Sequence, residues 1–237
     1  MRFQPELVAL LVIIAFAALL LLAIRSSRQQ AAEKEHQALS LGFEEVTSRP
    51  SQLINRVESV YKRGESQTVQ IDQIFTKRDW DQEFFIFDIS DSNQDDGELG
   101  SEVFGLISNQ LELPHFSLTT LPGFDSSTIL GGLMEGLLNK VISGAGKYHG
   151  LERIELPDRP DLAGQAIIFG KDPESVKELM KRIDIKYILD LQTPVHISGV
   201  NDFIAVDFSQ MSSFKDEDHD LIAQHEKFTR ILRNFTN

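Results

Sequence analysis

Every residue from Leu7 to Ile24 is apolar (LVALLVIIAFAALLLLAI). A buried helix of a soluble protein needs no such unbroken stretch, whereas ~20 residues rising 1.5 Å each cross the ~30 Å hydrocarbon layer of a bilayer. The run therefore predicts a transmembrane helix, with the lipid bilayer as the partner of Leu7 to Ile24. A cleaved signal peptide has a shorter apolar region, of about 7–15 residues, and a small-x-small cleavage site. Here Ala23 is followed by Ile24 and Arg25, and the absence of cysteine removes lipoprotein anchoring and palmitoylation. Arg2 precedes the run, while Arg25, Arg28 and Lys34 follow it. That bias of basic residues places the large C-terminal part in the cytoplasm, at the inner or plasma membrane.

The remainder is a different material. The 237 residues carry a net charge of −13, and the acid excess lies wholly beyond residue 25, where 21 basic and 35 acidic side chains leave −14. Such a surface repels phosphate backbones, which argues against nucleic acid as a partner. The length divides into a tail and membrane helix (1–25), a juxtamembrane helix or linker (26–41) and an acidic domain (42–237), the last open to division into lobes of about 42–150 and 151–237.

Gln, Ala, Glu and Lys from Ser26 to Leu41 favour helix, and Gly42 offers its stop. Leu53, Ile54, Val57 and Val60 recur at helical spacing after Pro50. Val69, Ile71 and Phe75 lead into FFIFDIS at Phe84–Ser90, and EVFGLIS follows at Glu102–Ser108, which predicts an antiparallel hairpin around an acidic loop. Leu113 to Leu118 reads as a third extended piece, with Pro114 suited to an edge or a strand start. A helix is expected near Leu130 to Val141, strands at Arg153–Leu156 and Ala166–Gly170, and a helix at Pro173–Ile183 capped by Asp172. HISGV and FIAVDF form a hairpin turning at Asn201-Asp202, and a last helical stripe runs from Lys215 to Phe235. Hairpins interleaved with helices give an α+β class: an N-terminal transmembrane helix, then a mixed, largely antiparallel sheet with packed helices. The sixteen phenylalanines read as core of that sheet, with any exposed ones available to a partner.

Motifs that carry chemistry are few. Asp91, Asn93, Asp95 and Glu102 occupy positions one, three, five and twelve of a calcium-type loop. The glycine is displaced from position six to Gly97, position eight is Glu98, and the flanks are strands, so a solvated acidic hairpin loop is the competing reading and no metal site is assigned. Ser143 to Tyr148 lacks the spacing of a phosphate-binding loop and suits a helix end. His219 and His225 stand six apart and do not share a helix face, although Asp218 with His225, or His219 with Glu226, do. No catalytic constellation and no cofactor site is legible.

Ala38-Leu39-Ser40-Leu41-Gly42-Phe43, the strand pair, Leu113-Pro114-His115-Phe116-Ser117-Leu118 and the late HISGV…FIAVDF hairpin together resemble a group of uncharacterised bacterial single-pass membrane proteins. Members look like an N-terminal anchor, an A-x-x-L-G-F-like entry and an L-P-x-F-x-L element. Thr119-Thr120-Leu121-Pro122 departs from the Arg-Pro-Glu-like continuation of that group. The resemblance implies a membrane-anchored bacterial protein and no activity. The function expected is that of a binding, accessory or scaffold domain with a protein partner. A membrane-tethered enzyme whose carboxylates and histidines converge only in space, and a divalent-cation sensor, are the alternatives.

Overall fold

The computed structural model describes residues 5–48, 50–61, 69–91, 101–120, 150–159, 162, 165–191, 195–208 and 220–236. The backbone from Pro5 to Ser40 is one helix, α1. Of its Leu7–Ile24 run, the side chains of Ile14, Phe16, Leu19, Leu21 and Leu22 are described, and all five are exposed. Among the described residues no helix is long and apolar enough to cross a membrane.

The far end of α1 is built into the domain. Gly42 takes φ +80°, a left-handed value that glycine adopts without steric cost. The Phe43 N–H then reaches back to the Ala38 carbonyl at 3.0 Å and the Gly42 N–H to that of Leu39, which satisfies carbonyls the helix end leaves open. Both Ala38 and Phe43 are buried.

The other elements are β1 (Glu44–Glu45), α2 (Ser51–Tyr61), β2 (Val69–Asp79), β3 (Gln82–Asp91), β4 (Ser101–Ser108), β5 (Leu113–Thr120), β6 (Glu152–Ile154) and β7 (Ala166–Gly170). They are followed by α3 (Pro173–Arg182), α4 (Ile185–Leu189), β8 (Val195–Asn201), β9 (Phe203–Asp207) and α5 (Leu221–Leu232). The strands make one sheet in the order β1-β2-β3-β4-β9-β8-β5-β7-β6, every neighbouring pair antiparallel. The α+β class with a large antiparallel sheet is therefore present, and the sheet interleaves strands from both sides of residue 150.

Apolar residues cover both faces. Leu53, Val57 and Val60 of α2 pack with Phe85, Phe87, Val103 and Phe203 on one face. Phe104, Leu106, Phe116 and Ile197 on the other face pack with Ala38 of α1, Val176 of α3, Ile188 of α4 and Phe228 of α5. Alternation along FFIFDIS explains this division, since Phe85 and Phe87 point one way and Ile86 the other. Close packing also uses the two central glycines. A Cβ on Gly199 would lie 2.5 Å from the Phe116 ring, and one on Gly105 would lie 3.1 Å from Phe87.

Leu113–Leu118 proves to be an interior strand, flanked by β8 and β7, with Pro114 near its start where the ladder register shifts. The strand beginning at Glu152 is short, and the last helix begins at Leu221 behind the Asp220 cap. The expected helix near Leu130–Val141, the Ser143–Tyr148 segment and residues 215–219, with Asp218 and His219, lie outside the described residues.

Candidate functional site

Three places on the described structure gather polar side chains: the seat of α1, a row buried in the sheet, and an open groove at one end of it.

At the seat of α1, Lys34 projects onto β3 and β4, where its ammonium pairs with Asp88 and lies 3.0 Å from Glu102. Asp72, Asp88 and Glu102 stand side by side on β2, β3 and β4. Burial raises the Asp88 pKa, the Lys34 charge and hydrogen bond oppose that rise, and Asp72 adds to it. One turn further on, the Gln37 amide oxygen accepts the Leu221 N–H at the start of α5. Lys77 of β2 then donates to the Leu41 carbonyl. His225 of α5 closes the seat, edge-on to the Phe43 ring at 5.6 Å between centroids. Burial, and then the charge of Lys77, lowers its pKa, while Glu226 acts in the opposite direction.

Glu102, one of the calcium-loop candidates, is thus a partner of Lys34. Asp91 ends β3 opposite Val69, and Asn93 and Asp95 lie outside the described residues. Among the described residues there is no group of three or more His, Asp or Glu side chains placed to hold a metal ion.

The buried row is one that scattered histidines in the sequence do not betray. Thr119 on β5, His196 on β8 and Asp207 on β9 are register partners across three adjacent strands. The Thr119 hydroxyl lies 2.9 Å from His196 Nδ1, and the Ser198 hydroxyl lies 3.0 Å from Nε2. A neutral imidazole satisfies both contacts, donating through one nitrogen and accepting through the other. Ser117, Thr119, His196, Ser198 and Asp207 are each at most 5% exposed. The signal that could have found the row is period two: His196 and Ser198 in VHISGVN, and Ser117 and Thr119 in LPHFSLTT, stand two apart.

The groove is an open surface recess. Its volume is ≈ 730 Å³, and it lies between Leu111–Pro114 at the start of β5, the exposed side of α3 and the Asn201-Asp202 turn. Asp172 fixes α3 by accepting the Glu174 N–H, with Pro173 in the first turn. Asn201 takes φ 53°, and Asp202 is held by a two-point contact with Arg56 of α2 at 2.6 and 2.8 Å. That hydrogen-bonded pair lowers the Asp202 pKa and raises that of Arg56. Glu174 and Glu178 on the rim are bridged by Lys177 and Lys181. The groove combines apolar Leu111, Leu113 and Pro114 with carboxylates and Arg182, which suits recognition of a surface.

Comparison with known proteins adds no family: no protein-family model, no curated protein and no solved structure matches this chain.

Proposed function

We propose that the chain is a single-pass membrane protein whose C-terminal α+β domain acts by binding, as an accessory or scaffold domain at the cytoplasmic face of the membrane. The observation that carries this reading is α1. A single helix bears the Leu7–Ile24 run at one end and is buried at Ala38 at the other. Phe16, Leu19, Leu21 and Leu22 are 63–68% exposed. Adjacent large apolar side chains left bare on a helix call for a cover, and a bilayer is the cover that the length of the run fits.

Alkaline carbonate extraction of membranes containing the full chain tests the anchor. Retention in the pellet is expected, and release into the supernatant refutes it. A reporter fused after Asn237 that is active only outside the cytoplasm stays silent under the proposed topology. Crosslinking in the native host, with reactive groups placed over the domain surface, tests the binding role.

An enzyme remains the second reading because of the Ser198–His196 contact. Labelling of Ser198 by an organophosphonate would establish it, whereas burial of the row predicts no labelling.

A further inference from the structure

We propose that the end of the sheet remote from the anchor is a docking surface for an arginine- and lysine-rich protein segment, with Trp80 as its centre. This inference rests on the binding-domain reading and names the partner's chemistry.

The first observation is the side chain itself. Trp80 is 100% exposed, and it is the single tryptophan of the chain. It stands in a two-residue loop between the paired residues Asp79 and Gln82, with φ 54°. A tight hairpin that needs positive φ at its first loop position favours glycine, and a bulky residue there is strained. The turn thus holds a large apolar ring in water, where neither packing nor backbone preference supports it.

The second observation is charge. At this end of the sheet Arg78 pairs with Glu83, Arg56 with Asp202, Lys177 with Glu174 and Lys181 with Glu178, Lys77 donates to Leu41, and Arg182 acts through its charge on Glu178. Asp79, Asp81 and Glu112 have no ion-pair partner among the described residues and are exposed. The Gln110 side chain donates to Asp81 at 3.0 Å, which ties the hairpin tip to the β4–β5 turn and so to the groove that begins at Leu111. An indole face beside unpaired carboxylates attracts guanidinium and ammonium groups, by stacking over the ring and by charge.

The third observation is direction. Lys34 sits by Asp88 and Glu102, whereas Leu41 sits by Lys77, which pairs with Phe84. Helix α1 therefore advances along β3 towards the Trp80 turn, and its N-terminal run recedes past the opposite end of the sheet. From Lys34 to Leu41 the advance is roughly 10 Å. Lipid is thus the wrong occupant for Trp80, and a protein segment reaching the domain from the side away from the bilayer is the right one.

The test uses the full chain in zwitterionic nanodiscs, titrated with a hexa-arginine peptide. Binding is read by Trp80 emission and by calorimetry. A saturable emission change is expected. D79N/D81N/E112Q should weaken binding at least tenfold, and W80G should do the same by calorimetry while the fold is kept, since glycine suits the turn. E152Q/E155Q, at exposed positions on and beside the edge strand β6, should stay within twofold of the parent. Unchanged affinity in W80G, equal weakening in E152Q/E155Q, or calorimetric binding without an emission change overturns the proposal. So does an emission change caused by added vesicles or by concentrating the protein alone, which would make lipid or a second copy the occupant. If the peptide result is negative but crosslinks in the native host map a partner to another face, this surface fails and the binding reading stands. If no face yields a crosslink, both fail.

Discussion

Replacing Lys34 by methionine keeps the length and apolar stem of the side chain and removes only its charge. The Lys34 side chain is 13% exposed, beside those of Asp88 and Glu102 at 27% and 23%. Pairs on an open surface contribute about 0–1 kcal/mol, and breaking a fully buried pair costs about 3–5. This partly buried site lies between those limits, so about 2 kcal/mol is expected at neutral pH. For a domain of this size that lowers Tm by about 4–8 °C. The pH dependence is the sharper test. Burial raises the Asp88 pKa in the folded protein, so the folded state holds that proton more tightly than the unfolded chain. Protonation of Asp88 therefore favours the fold, and this contribution is complete below the unfolded pKa and lost as pH rises through the folded one. Lys34 limits the loss; without it the Asp88 pKa rises further. Thermal unfolding of the full chain in detergent should show K34M most destabilised at pH 7–8 and close to the parent near pH 4. D88N/E102Q added to K34M should recover most of the difference. A loss independent of pH, or a triple variant no more stable than K34M, would refute the assigned role of the pair.

Four further outcomes follow from particular contacts. Gly199→Ala should lower stability by about 1–3 kcal/mol in thermal unfolding, because its Cβ would lie 2.5 Å from the Phe116 ring in the middle of the sheet. Burial lowers the pKa of His225 and of His115, so each supports the fold above its unfolded value and withdraws that support as pH falls through the folded value. His225→Phe should flatten the decline of Tm below about pH 6.5. Asp202→Asn should cost about 0.5–1 kcal/mol at pH 7, a cost that fades as pH falls through the folded-state value, which Arg56 holds below the ordinary carboxylate range. W80G should leave Tm unchanged or raise it, measured by circular dichroism, since it relieves a positive-φ position at the cost of a freer unfolded chain.

Local pattern made much of this architecture legible. The Asp172-Pro173 start of α3, the Gly42 stop of α1 and the Asn201-Asp202 hairpin each rest on side chains that act within a few residues, and all appear where the sequence places them. The β2–β3 hairpin was not legible, because its turn is Trp80-Asp81 and no turn preference announces a tryptophan at positive φ. Strand order was also hidden. The contacts β4–β9 and β5–β8 join residues 75 to 104 positions apart in the chain, with Thr120–Val195 and Val103–Asp207 at the extremes, and no local signal encodes such pairing. The Thr119–His196 contact was invisible for the same reason, and the Lys34–Glu102 pair because it depends on where α1 seats against β3 and β4.

The unbroken course of α1 has a mechanical consequence. A flexible linker between lipid and domain would let the domain tumble freely, but a helix buried at one end and proposed to lie in the bilayer at the other behaves as a mast. Its tilt becomes the tilt of the domain. Over the ~40 Å from the membrane surface to the far end of such a body, a 10° change in helix tilt sweeps that end sideways by about 7 Å, the width of a side chain. Bilayer thickness, which sets the tilt of a spanning helix, would thereby help to set what the Trp80 hairpin can reach.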